Sequence, residues 1–178
     1  MKRSIAMTVM CVAMMLMGVH VRADDAQSRC TRIANNWVNF LNSKDSSTAS
    51  DVFTKDIVEE DVTVGTGMIV GIRAFKAFID GFFTAFPIST FTLVNSFCSG
   101  QHGFIEWSWI AHDGIVKDPV ATGFCGTGKP VTGRGVSIIA IHGNRISSTT
   151  GYWDFATVLR ALLSKGQECA GLVGTGEE

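Results

Sequence analysis

The sequence is poor in charge, in proline and in tyrosine. Charged residues make up 17 % of its 178 residues, and it holds three prolines and one tyrosine. Apolar residues make up 46 % of the chain. A chain of this composition can bury an ordinary core, which excludes an intrinsically disordered protein. It has no internal repeat and no low-complexity linker, and its length favours one domain over two.

Clustered basic residues and catalytic motifs are also missing. Without the first 23 residues the chain holds 12 basic and 16 acidic side chains, a net charge of −4. Nucleic acid is therefore excluded as the main partner, because phosphate binding needs grouped lysine and arginine. The Gly-x-Ser-x-Gly motif is absent, and the histidines lack the spacing of metal ligands. We expect no metal and no cofactor.

The first 23 residues have the pattern of a signal peptide. Lys2 and Arg3 precede an uncharged apolar stretch over residues 5–19, and small residues lead to a cleavage position near Ala23. The stretch is shorter than the roughly 20 apolar residues that span a bilayer. We therefore expect export to a periplasm or extracellular space, with no stable membrane span in the mature protein.

The mature chain is expected to form one domain over residues 24–170, followed by a flexible tail over residues 171–178. It holds four cysteines: Cys30, Cys98, Cys125 and Cys169. An even number in an exported protein favours disulfides, and at least one is expected. Four cysteines allow three pairings, and buried free thiols are the alternative.

Helical periodicity dominates the first half of the chain. Apolar residues at spacings of three and four predict a helix from residue 24 to about residue 43 and a second over Gly71–Phe86. Pro87 blocks continuation of the second helix. Between them, a short helical turn around Ala49–Phe53 is expected to lead into an extended stretch near Ile57–Val64.

Period-two alternation takes over after Pro87. It predicts strands, the last two forming a hairpin, over 91–98, 104–112, 131–141 and 146–152. A closing helix is expected from Asp154 to about Ser164. Helices followed by strands indicate an α+β fold. A curved antiparallel sheet with helices on its concave face would form a cone around an apolar pocket.

Four segments, considered together, resemble a known family. They are residues 71–87, 106–114, 126–146 and 151–163. Their order is similar to that in the NTF2-like superfamily of cone-shaped α+β domains, and within it to the SnoaL-like polyketide cyclase or ester cyclase branch, over residues 31–163. The resemblance implies an apolar pocket and a homodimer formed through the outer face of the sheet.

The resemblance also implies site residues. Asp154 matches the general acid/base of the cyclases, His112 a histidine of the preceding sheet segment and Trp107 a pocket aromatic. The full set expected to line the pocket is Trp37, Phe40, Phe82, Phe86, Trp107 and Tyr152. A carboxyl group at the mouth of such a pocket would have a raised pKa and could remove a proton from carbon next to a carbonyl group. Alternatively, Asp154 caps the last helix, which would lower its pKa.

Strand alternation limits how these residues combine. His112 is in phase with Glu106, whereas Trp107 points to the other face, so His112 and Trp107 cannot both line the pocket without a bulge. Glu106 is a second candidate acid if it points inward, and otherwise faces solvent.

Two classes of function follow. The first is an exported, cofactor-free enzyme of polyketide-cyclase or ketosteroid-isomerase type that acts on a hydrophobic carbonyl compound. The second is an exported protein without chemistry, which either holds a small hydrophobic molecule in the same pocket or acts as a dimerising interaction module.

Overall fold

The computed structural model describes residues 27–63, 65, 67–111 and 130–163. The predicted leader, the predicted tail and His112 lie outside these residues. Helix α1 covers residues 27–43, and a 3-10 turn, Ser46–Thr48, follows it. The other elements are α2 Ala49–Val52, β1 Phe53–Asp61, β2 Met68–Val70, α3 Ile72–Ala85, β3 Ser89–Ser99, β4 His102–Ala111, β5 Val131–His142, β6 Arg145–Trp153 and α4 Phe155–Leu163. In the described part of the chain, no helix is long and apolar enough to cross a membrane.

The strands form a six-stranded sheet in the order β2-β1-β6-β5-β4-β3. Neighbouring strands are antiparallel, except that β1 runs parallel to β6. The α+β architecture and the four predicted antiparallel strands, β3–β6, are therefore confirmed, and β1 and β2 extend the sheet beyond them. The predicted extended stretch begins earlier, at Phe53, and joins the sheet. Strand β2 has three residues, too few for an alternation pattern to reveal it.

Strand β3 carries a β-bulge that reverses its faces. The register with β4 shifts between Leu93 and Asn95. Phe91 points to the buried face before the shift, and Ser96 does so after it. The strict alternation predicted for this strand is wrong, because an extra residue moves every later side chain to the opposite face. The Asn95 Oδ1 atom accepts a hydrogen bond from the Ser96 backbone N–H at 2.8 Å.

Aromatic side chains fill the space between the helices and the buried face of the sheet. Phe40 of α1 contacts Phe53 of β1, with ring centroids 5.3 Å apart. Phe75 of α3 lies 4.5 Å from the same Phe53 ring. Ile33 and Ile79 complete the apolar stripes of the two helices. The helical periodicity of α1 and α3 thus marks the faces that pack on the sheet.

Helix α1 is fastened along strand β3, at one edge of the sheet. A disulfide joins Cys30 to Cys98, 68 residues away. The Asn42 side chain bonds both backbone groups of Phe91, accepting from its N–H at 2.7 Å and donating to its carbonyl oxygen at 2.9 Å. The expected disulfide is therefore present, with a pairing that the sequence left open. Cys125 and Cys169 lie outside the described residues.

Candidate functional site

Cross-strand rows place polar side chains on the buried, inner face of the sheet. Partner residues on adjacent strands point to the same side. One row runs through Ser137, Gly151 and Asp61 on β5, β6 and β1. The next row places Thr149 beside Glu59. Two carboxyl groups of β1 therefore lie on the same face as the aromatic core.

Glu59 is the most perturbed acid of the described chain. Its pKa is raised to about 8, mainly by burial and also by the neighbouring carboxylate of Asp61, against a hydrogen bond with Thr149 that favours the ionised form. Removal from water disfavours a charged carboxylate, and a like charge nearby adds to that effect. At neutral pH, Glu59 is mostly protonated and can donate a hydrogen bond.

Asp61 is held by two N–H donors. The Trp153 indole Nε1–H donates to its Oδ2 atom at 2.8 Å. The Thr63 backbone N–H donates to its Oδ1 atom at 3.0 Å. These bonds fix the orientation of the carboxylate. β1 thus presents a protonated acid and an oriented carboxylate two residues apart, about 6.6 Å along a strand.

The inner face has one tightly filled position and one open position next to the carboxyl groups. A methyl group added at Gly135 would lie 2.5 Å from the Trp107 ring, so two tryptophans fill that position. A methyl group added at buried Gly151 would meet, among the described residues, only the Glu60 backbone oxygen, at 3.9 Å. The space over Gly151 therefore adjoins Asp61 on one side and Ser137 on the other.

Asp154 lies elsewhere, at the start of α4. Its Oδ1 atom accepts a hydrogen bond from the Thr157 N–H at 3.1 Å, and its side chain is exposed. Hydrogen bonds from the Thr157 side chain and backbone lower its pKa, with a smaller contribution from Arg160. The structure thus places Asp154 as a helix cap, with a pKa shift opposite to the one that the catalytic interpretation required.

Five of the six residues predicted to line the pocket lie on the inner side. Trp37, Phe40 and Trp107 are buried in the core, and Phe82 and Phe86 pack against it from α3. The sixth, Tyr152, does not join them: strand alternation points it outward, and 46 % of its surface is exposed. Its neighbour Trp153 takes the inner position.

Glu106 also points outward. Its carboxylate pairs with the Arg134 guanidinium at 3.0 Å on the outer face, where both side chains are exposed. Glu106 therefore faces solvent, the second of its two predicted alternatives. The inward phase of β4 belongs to Trp107 and Trp109, as the alternation predicted.

A cavity of about 430 Å³ opens by the end of β6, on the outer side of the sheet. Its lining comes from β3, β4 and β5 and from the start of α4: Thr90, Thr92, Ser108, Trp109, Ile110, Thr132, Gly133, Arg134, Asp154 and Thr157. None of the six predicted pocket residues is among them. Within the described residues, no group of three or more histidine, cysteine or acidic side chains could hold a metal ion.

Glu59 and Asp61 were not predicted as site residues, although their phase along the strand indicated that they point inward. Both residues are in phase with Ile57, which is fully buried. Alternation along a strand that starts at Phe53 predicts that all three point inward. A strand of acidic residues is typical of a solvent-facing edge unless its neighbours in the sheet are known, and the partners of Glu59 and Asp61 on β6 are 90 residues away in sequence.

A comparison with known families finds one match. A family model described as a SnoaL-like domain matches residues 34–149. No curated protein matches the chain.

Solved structures share the fold at low sequence identity. A proposed polyketide cyclase from Acidithiobacillus ferrooxidans is 18 % identical with a TM-score of 0.66, and the match covers 75 % of this chain and 94 % of that one. A proposed SnoaL-like polyketide cyclase from Jannaschia sp. is 14 % identical with a TM-score of 0.64, covering 76 % and 92 %. IdmH of Streptomyces antibioticus, also a proposed polyketide cyclase, is 18 % identical with a TM-score of 0.63, covering 75 % and 97 %. A protein from Catenulispora acidiphila with a similar match is described as having a ketosteroid isomerase-like fold.

Proposed function

Because the chain belongs to the SnoaL-like domain family, we propose that it is a small enzyme that performs acid/base chemistry on a hydrophobic carbonyl compound, with Glu59 and Asp61 as the proton-transferring pair. The observation that carries this proposal is the raised pKa of Glu59, about 8, on the inner face of the sheet. Two carboxyl groups with different environments can serve as acid and base at the same pH.

The pair suits enolisation. The Asp61 carboxylate takes a proton from the carbon next to the carbonyl group, and the Glu59 carboxyl group gives its proton to the carbonyl oxygen. The product is an enol, with Asp61 protonated and Glu59 ionised. Return of the proton from Asp61 to another carbon, with the enol proton going back to Glu59, isomerises the substrate. In ring closure the enol carbon attacks a second carbonyl group, Asp61 protonates the new alkoxide oxygen and the enol proton returns to Glu59. Either route returns both carboxyl groups to their starting states.

The surroundings support a flat, apolar substrate. Trp107 and Trp153 lie 6.4 Å apart by ring centroids and flank Gly135, in the cross-strand row next to that of Ser137 and Gly151. Aromatic walls exclude water and stack on conjugated ligands.

Proton exchange tests the proposal directly. The methyl group of 2-acetylnaphthalene, a flat aryl ketone, exchanges its protons for deuterium through an enol, and NMR in D₂O measures the rate. We expect the wild-type protein to accelerate exchange and Glu59→Gln and Asp61→Asn to abolish the acceleration, while Asp154→Asn retains it. Exchange at the buffer rate with wild type would contradict the enzyme proposal.

A binding protein is the second candidate function. It is favoured by the position of Asp154, the general acid/base that the resemblance implies, because this side chain is exposed and caps a helix. A binder would hold an apolar ligand over Gly151 without exchanging its protons. Saturable binding of 2-acetylnaphthalene together with exchange at the buffer rate would favour this function.

Export and dimerisation stay predictions. The Cys30–Cys98 disulfide supports an oxidising compartment. An apolar row on the outer face, with Phe97 54 % and Ile138 48 % exposed, supports pairing of two sheets. Light scattering of the mature protein measures the oligomeric state, and we expect a dimer that Ile138→Glu converts to a monomer. A wild-type monomer would contradict the prediction.

A further inference from the structure

A buried serine on the inner face has a hydroxyl proton with no assigned acceptor. Ser137 is 4 % exposed. Its Oγ atom accepts a hydrogen bond from the Trp107 Nε1–H at 3.1 Å. Among the described residues, the Ser137 hydroxyl has no hydrogen-bond acceptor of its own. A hydroxyl group has one proton to donate as well as lone pairs that accept, so this proton is free to serve a ligand atom.

Open space adjoins the same hydroxyl group. Ser137 pairs with Gly151, and Gly151 pairs with Asp61 in the same row. The position over Gly151 is buried yet able to accept a methyl group. Two independent observations, an unused donor and an open position, therefore meet at one place beside the carboxylate.

Trp107 prepares Ser137 to donate. The indole N–H occupies a lone pair of the Oγ atom, which turns the hydroxyl proton away from the Trp107 ring. A hydroxyl oxygen that accepts a hydrogen bond becomes a stronger donor. A donor fixed in a region without water stabilises an oxygen that gains negative charge more effectively than water does.

We propose that the Ser137 hydroxyl group, oriented by Trp107, binds an oxygen atom of a neutral ligand seated over Gly151. This assignment rests on the proposed function and adds a substrate class to it: uncharged compounds with an oxygen acceptor on the side opposite Asp61. A carboxylate ligand is disfavoured there, because its charge would lie near that of Asp61. Ser137 is thus a residue that determines specificity.

Three probes of one shape test the assignment. They are 2-acetylnaphthalene, 2-isopropenylnaphthalene, in which a CH₂ group replaces the oxygen, and the anion 2-naphthoate. Quenching of tryptophan fluorescence measures each Kd. With wild type we expect the ketone to bind about three- to tenfold more tightly than the alkene, the range that one neutral hydrogen bond provides. The anion should bind most weakly.

The variants isolate the hydroxyl group. Ser137→Ala should weaken ketone binding by about the same factor and leave alkene binding unchanged. Ser108→Ala, on the outer face of the neighbouring strand, should change neither. Gly151→Val should weaken both neutral probes, since it fills the space. Equal effects of Ser137→Ala on ketone and alkene, equal binding of the two by wild type, or binding of neither would overturn the assignment.

Failure of this inference differs from failure of the proposed function. Ser137→Ala tests the preference for ketone over alkene, whereas Glu59→Gln tests the exchange of methyl protons. If exchange requires Glu59 while the preference is missing, the enzyme proposal stands and the Ser137 assignment is wrong. If the preference is present and exchange stays at the buffer rate, Ser137 binds a ligand in a protein without this chemistry.

Discussion

Glu59 and Asp154, two acids at neighbouring strands of one sheet, have pKa values shifted in opposite directions. Glu59 lies on the inner face of β1, where burial raises its pKa to about 8. Asp154 follows β6, where hydrogen bonds from Thr157 lower its pKa. Asp154 matches the family position by sequence order, yet solvent and the start of α4 stabilise it as a carboxylate. The comparison teaches that the face of the sheet, more than the place in the motif order, sets the chemistry of a carboxyl group.

The largest expected effect is on catalysis. Glu59→Gln keeps the size of the side chain and removes its proton transfer, so the rate of methyl-proton exchange should fall by about 10²–10⁴-fold. Asp154→Asn should leave the rate within about twofold, since the cap does not reach the inner face. NMR in D₂O compares the two variants. A loss confined to Asp154→Asn would reverse the comparison.

The support of Asp61 should have a smaller effect on the same rate. Trp153→Phe keeps the aromatic ring and removes the N–H group that donates to Oδ2. We expect about a tenfold lower exchange rate, as for the loss of one charge-assisted hydrogen bond. Circular dichroism checks that the variant is folded. An unchanged rate would mean that the bond from Thr63 orients Asp61 well enough without Trp153.

The contributions of Glu59 and Asp154 to the free energy of unfolding should change with pH in opposite directions. The pKa of folded Glu59 lies above its usual value of 4.5, so its contribution to the free energy of unfolding is full below pH 4.5 and is lost as the pH rises through about 8. Asp154 contributes in the opposite sense, with stability present above its unfolded pKa and lost as the pH falls through its lower folded pKa.

Denaturant titrations at several pH values measure this difference. Wild type should lose stability between pH 4.5 and about 8 relative to Glu59→Gln, which has no group to ionise there. Parallel curves for the two proteins over that range would mean that Glu59 is not desolvated in solution.

Direct titration gives the smallest but most specific test. Carboxyl carbon shifts should show Glu59 titrating near pH 8 and Asp154 titrating below the usual value for aspartate. The assignments come from the spectra of Glu59→Gln and Asp154→Asn. A Glu59 midpoint near 4.5 would remove the observation on which the proposed function depends.

Helix faces and most strands could be predicted from the sequence. Apolar spacing located α1 and α3 because a helix on a sheet must bury one stripe of side chains. Alternation located β4 and the direction of Trp107 for the same reason. β3 escaped because its bulge reverses the alternation partway along the strand. β2 was not predicted because its three residues are too few to show an alternation pattern.

The candidate site was less predictable. Glu59 and Asp61 could be identified only through the register of β1 with β6, which brings Thr149 and Gly151 beside them. The disulfide required the same kind of long-range information, since the spacing of the cysteines allows three pairings. Tyr152 was expected on the inner face, whereas the phase of β6 turns it outward.

By itself, the sequence determined an amphipathic α+β domain with an aromatic core, because local periodicity encodes which side of each element avoids water. Only the tertiary structure decided that two acids of β1 enter that core and that Asp154 remains outside it. Desolvation and charge proximity depend on neighbours distant in sequence, and these neighbours alone change a carboxyl group from a solvated anion into a neutral acid.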